Sequence, residues 1–209
     1  MLNISNVSKK IKDTYVLNKI SYKFEEGNIY GLFGRNGSGK TMLLRALSGL
    51  IIPTEGEITI DNQQLHKDIS FLPSVGIIIE NMQLLPQYDG VTNLKILSKI
   101  KKKATENDIF EAIERVGLDH ASKLKVKKYS LGMKQRLNIA QAIFEKPDIL
   151  LLDEPTNAID EKGIDFVHKI LIEEKKRGAI IIIASHHKED ISSLCDYTIK
   201  MSEGRIINE

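Results

Sequence analysis

A glycine-rich segment at residues 28–41, NIYGLFGRNGSGKT, carries the residues whose types and spacing point most directly to chemistry. It places Gly34, Gly39, Lys40 and Thr41 at the fixed positions of G-x-x-x-x-G-K-[ST]. Glycines allow consecutive backbone N–H groups to point at a phosphate, and a following helix N-terminus adds unpaired donors and partial positive charge. The lysine can reach the β- and γ-phosphates, and the threonine hydroxyl can ligate Mg²⁺. The segment therefore predicts a binding site for a nucleoside triphosphate.

This chemistry requires a strand before the loop and a helix after it. Residues 29–33 are apolar and predict a buried strand, and the apolar run at residues 42–47 predicts a helix. The candidate nucleotide-binding residues of the loop are Gly34, Arg35, Asn36, Gly37, Ser38, Gly39, Lys40, Thr41 and Met42. We expect their backbone to surround the phosphates.

A second group of reactive side chains ends an aliphatic run at residues 149–154, ILLLDE. Asp153 is placed to hold Mg²⁺ directly or through water, as a magnesium–nucleotide site requires. Glu154 is placed to orient and polarise an attacking water as general base. Two acids at the end of a strand can also form an ordinary turn, but the upstream phosphate loop favours the catalytic interpretation.

The composition limits what kind of protein this is. With 209 residues, of which 42% are hydrophobic, the chain is long enough for one domain with a real core. Its net charge of +2 does not indicate a nucleic-acid partner. The single cysteine, Cys195, excludes an intrachain disulfide and is expected to be a small buried core residue. Because there is no signal peptide and no apolar run of about 18 residues, we expect a cytosolic chain without a membrane span.

Predicted strands alternate with predicted helices along the chain, which favours a mostly parallel α/β sheet. Strands are expected at residues 2–7, 16–24, 29–33, 57–60, 149–154, 179–184, 197–201 and 205–207. Residues 69–80 form a further apolar strand region that Pro73 and Gly76 interrupt. Residues 84–145 change to helical spacing and predict a helical insert, with an N-terminal cap at residues 105–108 and a C-cap at Gly117. A further helix is expected at residues 161–177, with Asp160 as its N-cap and Gly178 just after its end.

Two lysine-rich patches flank the predicted helical insert. They are Lys99, Lys101, Lys102 and Lys103, and Lys123, Lys125, Lys127 and Lys128. They can be a solvated face, or a surface that faces anionic lipid headgroups or a membrane partner, and the sequence leaves both interpretations open.

Residues 129–160, YSLGMKQRLNIAQAIFEKPDILLLDEPTNAID, resemble the nucleotide-binding subunit of ABC transporters. The matching motifs follow in order: residues 34–41 as Walker A, 130–136 in place of the LSGGQ-type signature, 149–153 as Walker B followed by Glu154 and Pro155, 157–160 as the D-loop, and Ser185-His186 as the switch histidine. The form YSLGMKQR is similar to the ATPases of bacterial exporters in the bacitracin- and lantibiotic-resistance group.

The resemblance implies a P-loop NTPase (RecA-like) fold, mostly parallel, with an antiparallel β subdomain and a helical subdomain at about 84–145 in a single ABC ATPase domain of residues 1–209. It implies ATP and Mg²⁺ as ligands and a head-to-tail homodimer or heterodimer. Each ATP would lie between the phosphate loop of one subunit and Ser130 and Gly132 of the other. His186 would contact the γ-phosphate and hold the attacking water.

Three departures from the family pattern concern the signature, the Q-loop and the adenine contact. Leu131 and Met133 stand at signature positions where the family has glycine and glutamine. Glu80 stands where the Q-loop glutamine is expected, and its oxygen can still reach Mg²⁺ or the water; Gln83 or Gln87 is the alternative.

The aromatic residue that stacks on adenine in this family aligns with Ile11. Tyr15, the aromatic nearest the loop in sequence, can substitute for it by stacking on the base, or can pack in the sheet. We assign no role to His187, which follows the switch histidine.

The leading hypothesis is an ATP-hydrolysing subunit that drives a separate transmembrane permease from the inner face of the cell membrane. The best specific interpretation is export of a peptide antibiotic or a similar compound, from the form of the signature. A soluble ABC ATPase that remodels a protein or nucleic-acid complex is the alternative, and a binding-only regulator is a third class. The presence of Lys40, Asp153, Glu154 and His186 disfavours the third class.

Overall fold

The computed structural model describes residues 1–80, 84–186 and 192–207. Its strands are β1 (Leu2–Ile11), β2 (Thr14–Phe24), β3 (Ile29–Phe33), β4 (Glu55–Ile60), β5 (Gln63–Gln64), β6 (Val75–Ile78), β7 (Ile149–Asp153), β8 (Ile180–Ser185), β9 (Tyr197–Ser202) and β10 (Arg205–Ile207). Its α-helices are α1 (Lys40–Ser48), α2 (Gly90–Lys101), α3 (Glu106–Arg115), α4 (Leu131–Ile143) and α5 (Glu161–Lys176), and a short 3-10 helix spans Val126–Lys128.

A mostly parallel sheet forms the centre of the molecule. Within the described residues it contains six strands in the order β10-β9-β3-β8-β7-β6, and only β10 runs antiparallel to its neighbour. All residues of β3 and β8 are buried, as expected for parallel strands that are covered on both faces. The non-sequential strand order places helices in the crossovers, which confirms the predicted α/β class.

A smaller antiparallel sheet lies beside the central one, in the strand order β2-β1-β4-β5. Its strands bury one face, so apolar side chains such as Leu2 and Ile4 alternate with more exposed ones. Helix α1 packs between the sheets, and its Leu43, Leu44 and Leu47 are fully buried in the same cluster. Each such leucine contributes about 1.5–3 kcal/mol through burial, so α1 is firmly fixed.

The helical segment packs as a second layer on the other face of the central sheet. Its buried residues belong to one cluster that includes α2, α3, α4 and α5. The predicted cap at Thr105 is confirmed as a capping box, because the Thr105 hydroxyl and the Asp108 carboxylate bind each other's backbone N–H. Asp160 caps α5, and Gly117 and Gly178 follow their helices with positive φ, as predicted.

The strand expected at residues 69–80 is much shorter in the structure. Only Val75–Ile78 pairs, and Ile69 forms an isolated bridge with Leu65. Pro73 explains the late start, since proline has no N–H to donate to a neighbouring strand. Strand β4, by contrast, is longer than predicted. It begins at Glu55 rather than at residue 57, because Glu55 pairs with Ser8 of β1.

No helix among the described residues is long and apolar enough to cross a bilayer. The helices that do form are amphipathic and lie against the sheet.

A substitution at Gly76 in β6 tests how tightly α4, the helix that begins with the signature residues, packs on the central sheet. A Cβ at this position would lie 1.9 Å from the Ala142 carbonyl oxygen of α4. We expect Gly76→Ala to lower the free energy of unfolding by about 2–3 kcal/mol, because α4 would have to move away from β6. Urea denaturation of the purified protein measures this.

Gly178→Ala is the control, because a Cβ there meets nothing within 4 Å but φ is +99°. It isolates the cost of left-handed backbone, about 1–2 kcal/mol. A Gly76→Ala protein as stable as the wild type would show that α4 does not contact β6 closely.

Candidate nucleotide-binding site

The glycine-rich loop connects a buried strand to a buried helix, as the motif predicts. Strand β3 ends at Phe33, and α1 begins at Lys40 after Gly39, whose φ is +105°. A Cβ at Gly39 would lie 2.9 Å from the Val16 carbonyl oxygen, so both the backbone conformation and the close approach require glycine. The loop is therefore fixed by packing at both ends.

Two side chains of the loop have unusual polar environments. The Lys40 side chain is buried, and its Nζ donates to the carbonyl oxygens of Gly34 at 2.6 Å and Arg35 at 3.3 Å. The buried hydroxyl of Ser38 has no hydrogen-bond partner among the described residues. A buried hydroxyl without a partner is costly, and a phosphate oxygen in the loop would satisfy it. This observation shows that the loop fits a polyphosphate.

Thr41 and Asp153 meet across the two halves of the site. The Thr41 hydroxyl on α1 donates to Asp153 Oδ2 at 2.7 Å, at the end of β7. Burial raises the pKa of Asp153, and the neighbouring charges of Glu154 and Glu80 raise it further, while the Thr41 hydrogen bond and Lys40 act in the opposite direction. A partly buried hydroxyl–carboxylate pair of hard oxygens suits Mg²⁺.

The next carboxylate, Glu154, is held by the end of the adjacent strand β8. Its Oε1 accepts a hydrogen bond from the His186 backbone N–H at 2.8 Å and lies 2.6 Å from His186 Nδ1. The Ser185 hydroxyl donates to Oε2 at 3.3 Å. Glu154 has φ of +50°, and its own N–H donates to the Ala184 carbonyl at 2.9 Å. These bonds fix the direction of the carboxylate, so it can orient a water in front of it.

Glu80 follows β6 and turns towards the same site. Its φ is +56°, and its Oε2 lies 2.6 Å from Nη2 of Arg45 in an ion pair. The alternative candidate Gln87 is exposed and does not line the cavity. Gln83 and His187 lie outside the described residues.

These side chains surround one cavity of about 420 Å³. It is lined by Val16, Asn36, Gly37, Ser38, Gly39, Lys40, Thr41, Met42, Glu80, Asp153 and Glu154. The fold thus brings together three acidic residues and the phosphate loop from distant parts of the sequence. Their roles towards a nucleotide stay predictions.

The aromatic candidate for stacking on adenine lies beside this cavity rather than in its wall. Tyr15 is 41% exposed on β2, and Lys10 Nζ lies 5.7 Å from the centre of its ring. Its neighbour Val16 lines the cavity, and Ile11 is exposed. Stacking of Tyr15 on a base stays a prediction.

The signature residues lie at the beginning of α4, away from this cavity. Ser130 is the N-cap, and its hydroxyl accepts from the Met133 N–H at 3.1 Å. A Cβ at Gly132 would lie 2.9 Å from the Ala158 carbonyl oxygen, so glycine allows the close contact with the D-loop. Leu131 is 69% exposed. The helix N-terminus is therefore open towards the outside of the molecule.

Two residues that the sequence reasoning missed contact the site. Gln135 on α4 donates from Nε2 to the carbonyl oxygens of Glu154 at 3.4 Å and Pro155 at 3.2 Å. No local sequence signal predicts this contact, because it depends on how α4 packs. Arg45 was detectable, since it lies four residues after Thr41 and therefore on the same face of α1.

Among the described residues no cluster of three or more His, Cys, Asp or Glu side chains is close enough to hold a metal. The oxygens of Thr41 and Asp153, which are 2.7 Å apart, are of the type that Mg²⁺ takes together with phosphate oxygens in phosphoryl-transfer sites. Binding of Mg²⁺ by this pair stays a prediction.

Comparison with known proteins gives a consistent match over the same motifs. The family model described as "ABC transporter" matches residues 17–157. The chain is 74% identical over 206 residues to YybJ of Bacillus subtilis (strain 168), named as an uncharacterized ABC transporter ATP-binding protein. That alignment covers 99% of this chain and 94% of the relative.

A second relative has a named cargo. The bacitracin transport ATP-binding protein BcrA of Enterococcus faecalis is 38% identical over 212 residues, which cover 100% of this chain and 68% of that protein. The dimeric structure of MJ0796, a bacterial ABC transporter cassette, superposes with a TM-score of 0.89 at 24% identity and covers 100% of this chain and 97% of that one. At this identity the likeness shows the fold alone, and it confirms the predicted one.

The variant Asp153→Asn tests separately how the Asp153 carboxylate affects the stability of the protein and its ATP hydrolysis. The pKa of Asp153 in the folded protein lies above its ordinary value, so the free energy of unfolding falls as the pH rises from the ordinary pKa to the folded one. At neutral pH the protein therefore still bears the cost of holding an ionised carboxylate in this site. Asparagine removes this cost and can still accept the Thr41 hydrogen bond. We expect the melting temperature to rise by about 1–3 °C, since solvent screens part of the effect, while Mg²⁺-dependent ATP hydrolysis is lost.

Asp148→Asn is the matched control. Its side chain is 76% exposed and lies 3.8 Å from Arg177, so we expect a change in melting temperature of about 1 °C or less. A fall in melting temperature of Asp153→Asn would contradict the assigned cost.

Proposed function

This chain belongs to the ABC transporter family, as an ATP-binding subunit and ATPase, and from that premise we propose that it drives a separate transmembrane permease. The observation that carries the proposal is the convergence of Lys40, Thr41, Asp153 and Glu154 on one cavity beside the phosphate loop. We propose that residues 1–209 act as one ATPase domain with a helical subdomain at about 84–145.

The polar side chains at the site have different parts in the proposed reaction. The loop N–H groups and Lys40 would bind the phosphates of ATP, and Thr41 and Asp153 would hold Mg²⁺, with Glu80 beside them. Glu154 accepts the proton of the attacking water as general base. His186, whose ring nitrogen Nδ1 is 2.6 Å from Glu154 Oε1, orients this carboxylate. Its contact with the γ-phosphate is proposed from the family resemblance.

We further propose that a second ATP-binding subunit completes the site, as a homodimer or heterodimer. The N-terminus of α4 carries a partial positive charge and unpaired N–H groups, and Ser130 and Leu131 are exposed there. These groups do not line the cavity of their own chain. They are available to the γ-phosphate bound by the other subunit, so ATP would join the two subunits and hydrolysis would release them.

The permease would dock beside the Q-loop, at the inner face of the membrane. Leu85, Tyr88 and Leu124 are exposed there, and the backbone N–H groups of Val126 and Lys127 bind the carbonyls of Tyr88 and Pro86. The four exposed lysines at positions 123, 125, 127 and 128 belong to the same surface. None of them forms an ion pair with a described residue, so their charge is available to an acidic partner or to headgroups.

The proposed cargo is a peptide antibiotic or a similar compound, moved outwards. The support is the YSLGMKQR signature and the 38% identity to a protein named for bacitracin transport. We assign the specificity for this cargo to the membrane partner.

Glu154→Gln tests the proposed dimer. Loss of the general base should lower ATP hydrolysis by at least about 100-fold while the phosphate contacts remain. We expect the variant to run as a dimer in Mg-ATP and as a monomer without nucleotide, measured by size exclusion with light scattering. The double variant Lys40→Ala/Glu154→Gln should stay monomeric, since it lacks the phosphate-binding lysine. A Glu154→Gln protein that stays monomeric with Mg-ATP would rule out the nucleotide-joined dimer.

Isolation of the tagged protein from native membranes in mild detergent tests the proposed partner. We expect a polytopic membrane protein at about one copy per subunit, as the one-to-one pairing of the family implies. Replacing the lysines at 123, 125, 127 and 128 by glutamate should reduce this recovery, whereas the same change at 99, 101, 102 and 103 should not. Recovery of a soluble complex without a membrane protein would favour the remodelling ATPase instead.

A further inference from the structure

An ion pair joins Arg45 to Glu80, which lines the cavity next to the phosphate loop. Nη2 of Arg45 lies 2.6 Å from Oε2 of Glu80, and the two side chains are 33% and 56% exposed. Glu80 lines the cavity, and Arg45 approaches it from α1. This contact joins the helix of the phosphate loop to the segment that follows β6.

Arg45 and Thr41 lie one turn apart on the same face of α1. Strands β6 and β7 are parallel neighbours, with Ile78 opposite Leu152, so both end at the same edge of the sheet. Thr41 binds the carboxylate that ends β7, and Arg45 binds the carboxylate that follows β6. One helix face thus holds two acidic groups of the cavity.

The charges around the cavity explain why the ion pair between Arg45 and Glu80 matters. Glu80, Asp153 and Glu154 bring three carboxylates, and among the lining residues Lys40 is the basic one. Glu80 lines the same cavity as Asp153, so the charge of Glu80 acts on the part of the site that Asp153 occupies. ATP adds further negative charge in the same place.

We propose that Arg45 is a positioning residue that neutralises Glu80 and holds its carboxylate against the wall, which allows an acidic residue to stand beside the polyphosphate. The inference rests on the proposed function, because it assigns the cavity to Mg-ATP. Arginine suits this task because its charge persists at all relevant pH values and its planar group fits a carboxylate.

Binding of a non-hydrolysable ATP analogue with Mg²⁺ tests the inference. Arg45→Ala should raise the Kd about tenfold, because it leaves the charge of Glu80 facing the phosphates. Arg45→Ala/Glu80→Gln should return the Kd to within about threefold of the wild-type value, because the glutamine has no charge to neutralise. The defect of the single variant should also shrink at high salt.

Lys146→Ala is the matched control. It likewise removes a positive charge and an ion pair, with Asp108, but next to the start of β7 at the opposite edge of the sheet, and its Kd should equal that of the wild type. The inference is overturned if Arg45→Ala binds as tightly as the wild type, or if its loss is not rescued by Glu80→Gln, as damage to α1 would produce. Wild-type protein that fails to bind the analogue, or Lys40→Ala protein that binds it equally well, would instead overturn the proposed function.

Discussion

The parallel pairing of β6, β7 and β8 is the constraint on which the site depends. Their register places Ile78 opposite Leu152, and Asp153 opposite Ala184, so the chain leaves all three strands at one edge of the sheet. The residues at these strand ends include Glu80, Asp153 and Glu154, whose carboxylates line the cavity. Because β7 and β8 are buried along almost their whole length, a shift in their register would disrupt the core as well as the site. The packing of the hydrophobic core therefore also holds the residues of the site in position.

This edge collects negative charge, and the structure assigns a specific contact to each carboxylate. Asp153 accepts the Thr41 hydroxyl, Glu154 binds His186, and Glu80 pairs with Arg45. Two of these partners come from α1, which is fixed between the sheets by buried leucines. The result is a site whose acidic groups are oriented before any nucleotide arrives, although the burial that raises the pKa of Asp153 costs stability. The protein is therefore less stable because of Asp153, the carboxylate whose charge the proposed chemistry requires.

The sequence predicted most of the fold and the centre of the site, because their signals are local. The phosphate loop, the aliphatic strand before Asp153 and the cap at Thr105 each depend on neighbours within a few residues. The spacing of Arg45 from Thr41 places both on one face of α1, but the pairing of Arg45 with Glu80 depends on packing across 35 residues, and that of Gln135 with the Glu154 carbonyl on packing across 19. In the apolar region at residues 69–80 the sequence shows the interruption at Pro73, but which part of the region pairs with β7 depends on how the sheet assembles.

The contacts of α4 suggest how the proposed second subunit could affect the chemistry. Gly132 lies close to the Ala158 carbonyl, so the signature and the D-loop are in direct contact. Three residues further along the helix, Gln135 donates to the Glu154 and Pro155 carbonyls. A phosphate that engages the N-terminus of α4 would pull on a helix that is hydrogen-bonded to the backbone of the general base of its own chain. Since Glu154 already has a strained positive φ, a small displacement there would redirect its carboxylate. The same helix thus connects the γ-phosphate contact in one proposed site to the base in the other, through two hydrogen bonds of one side chain.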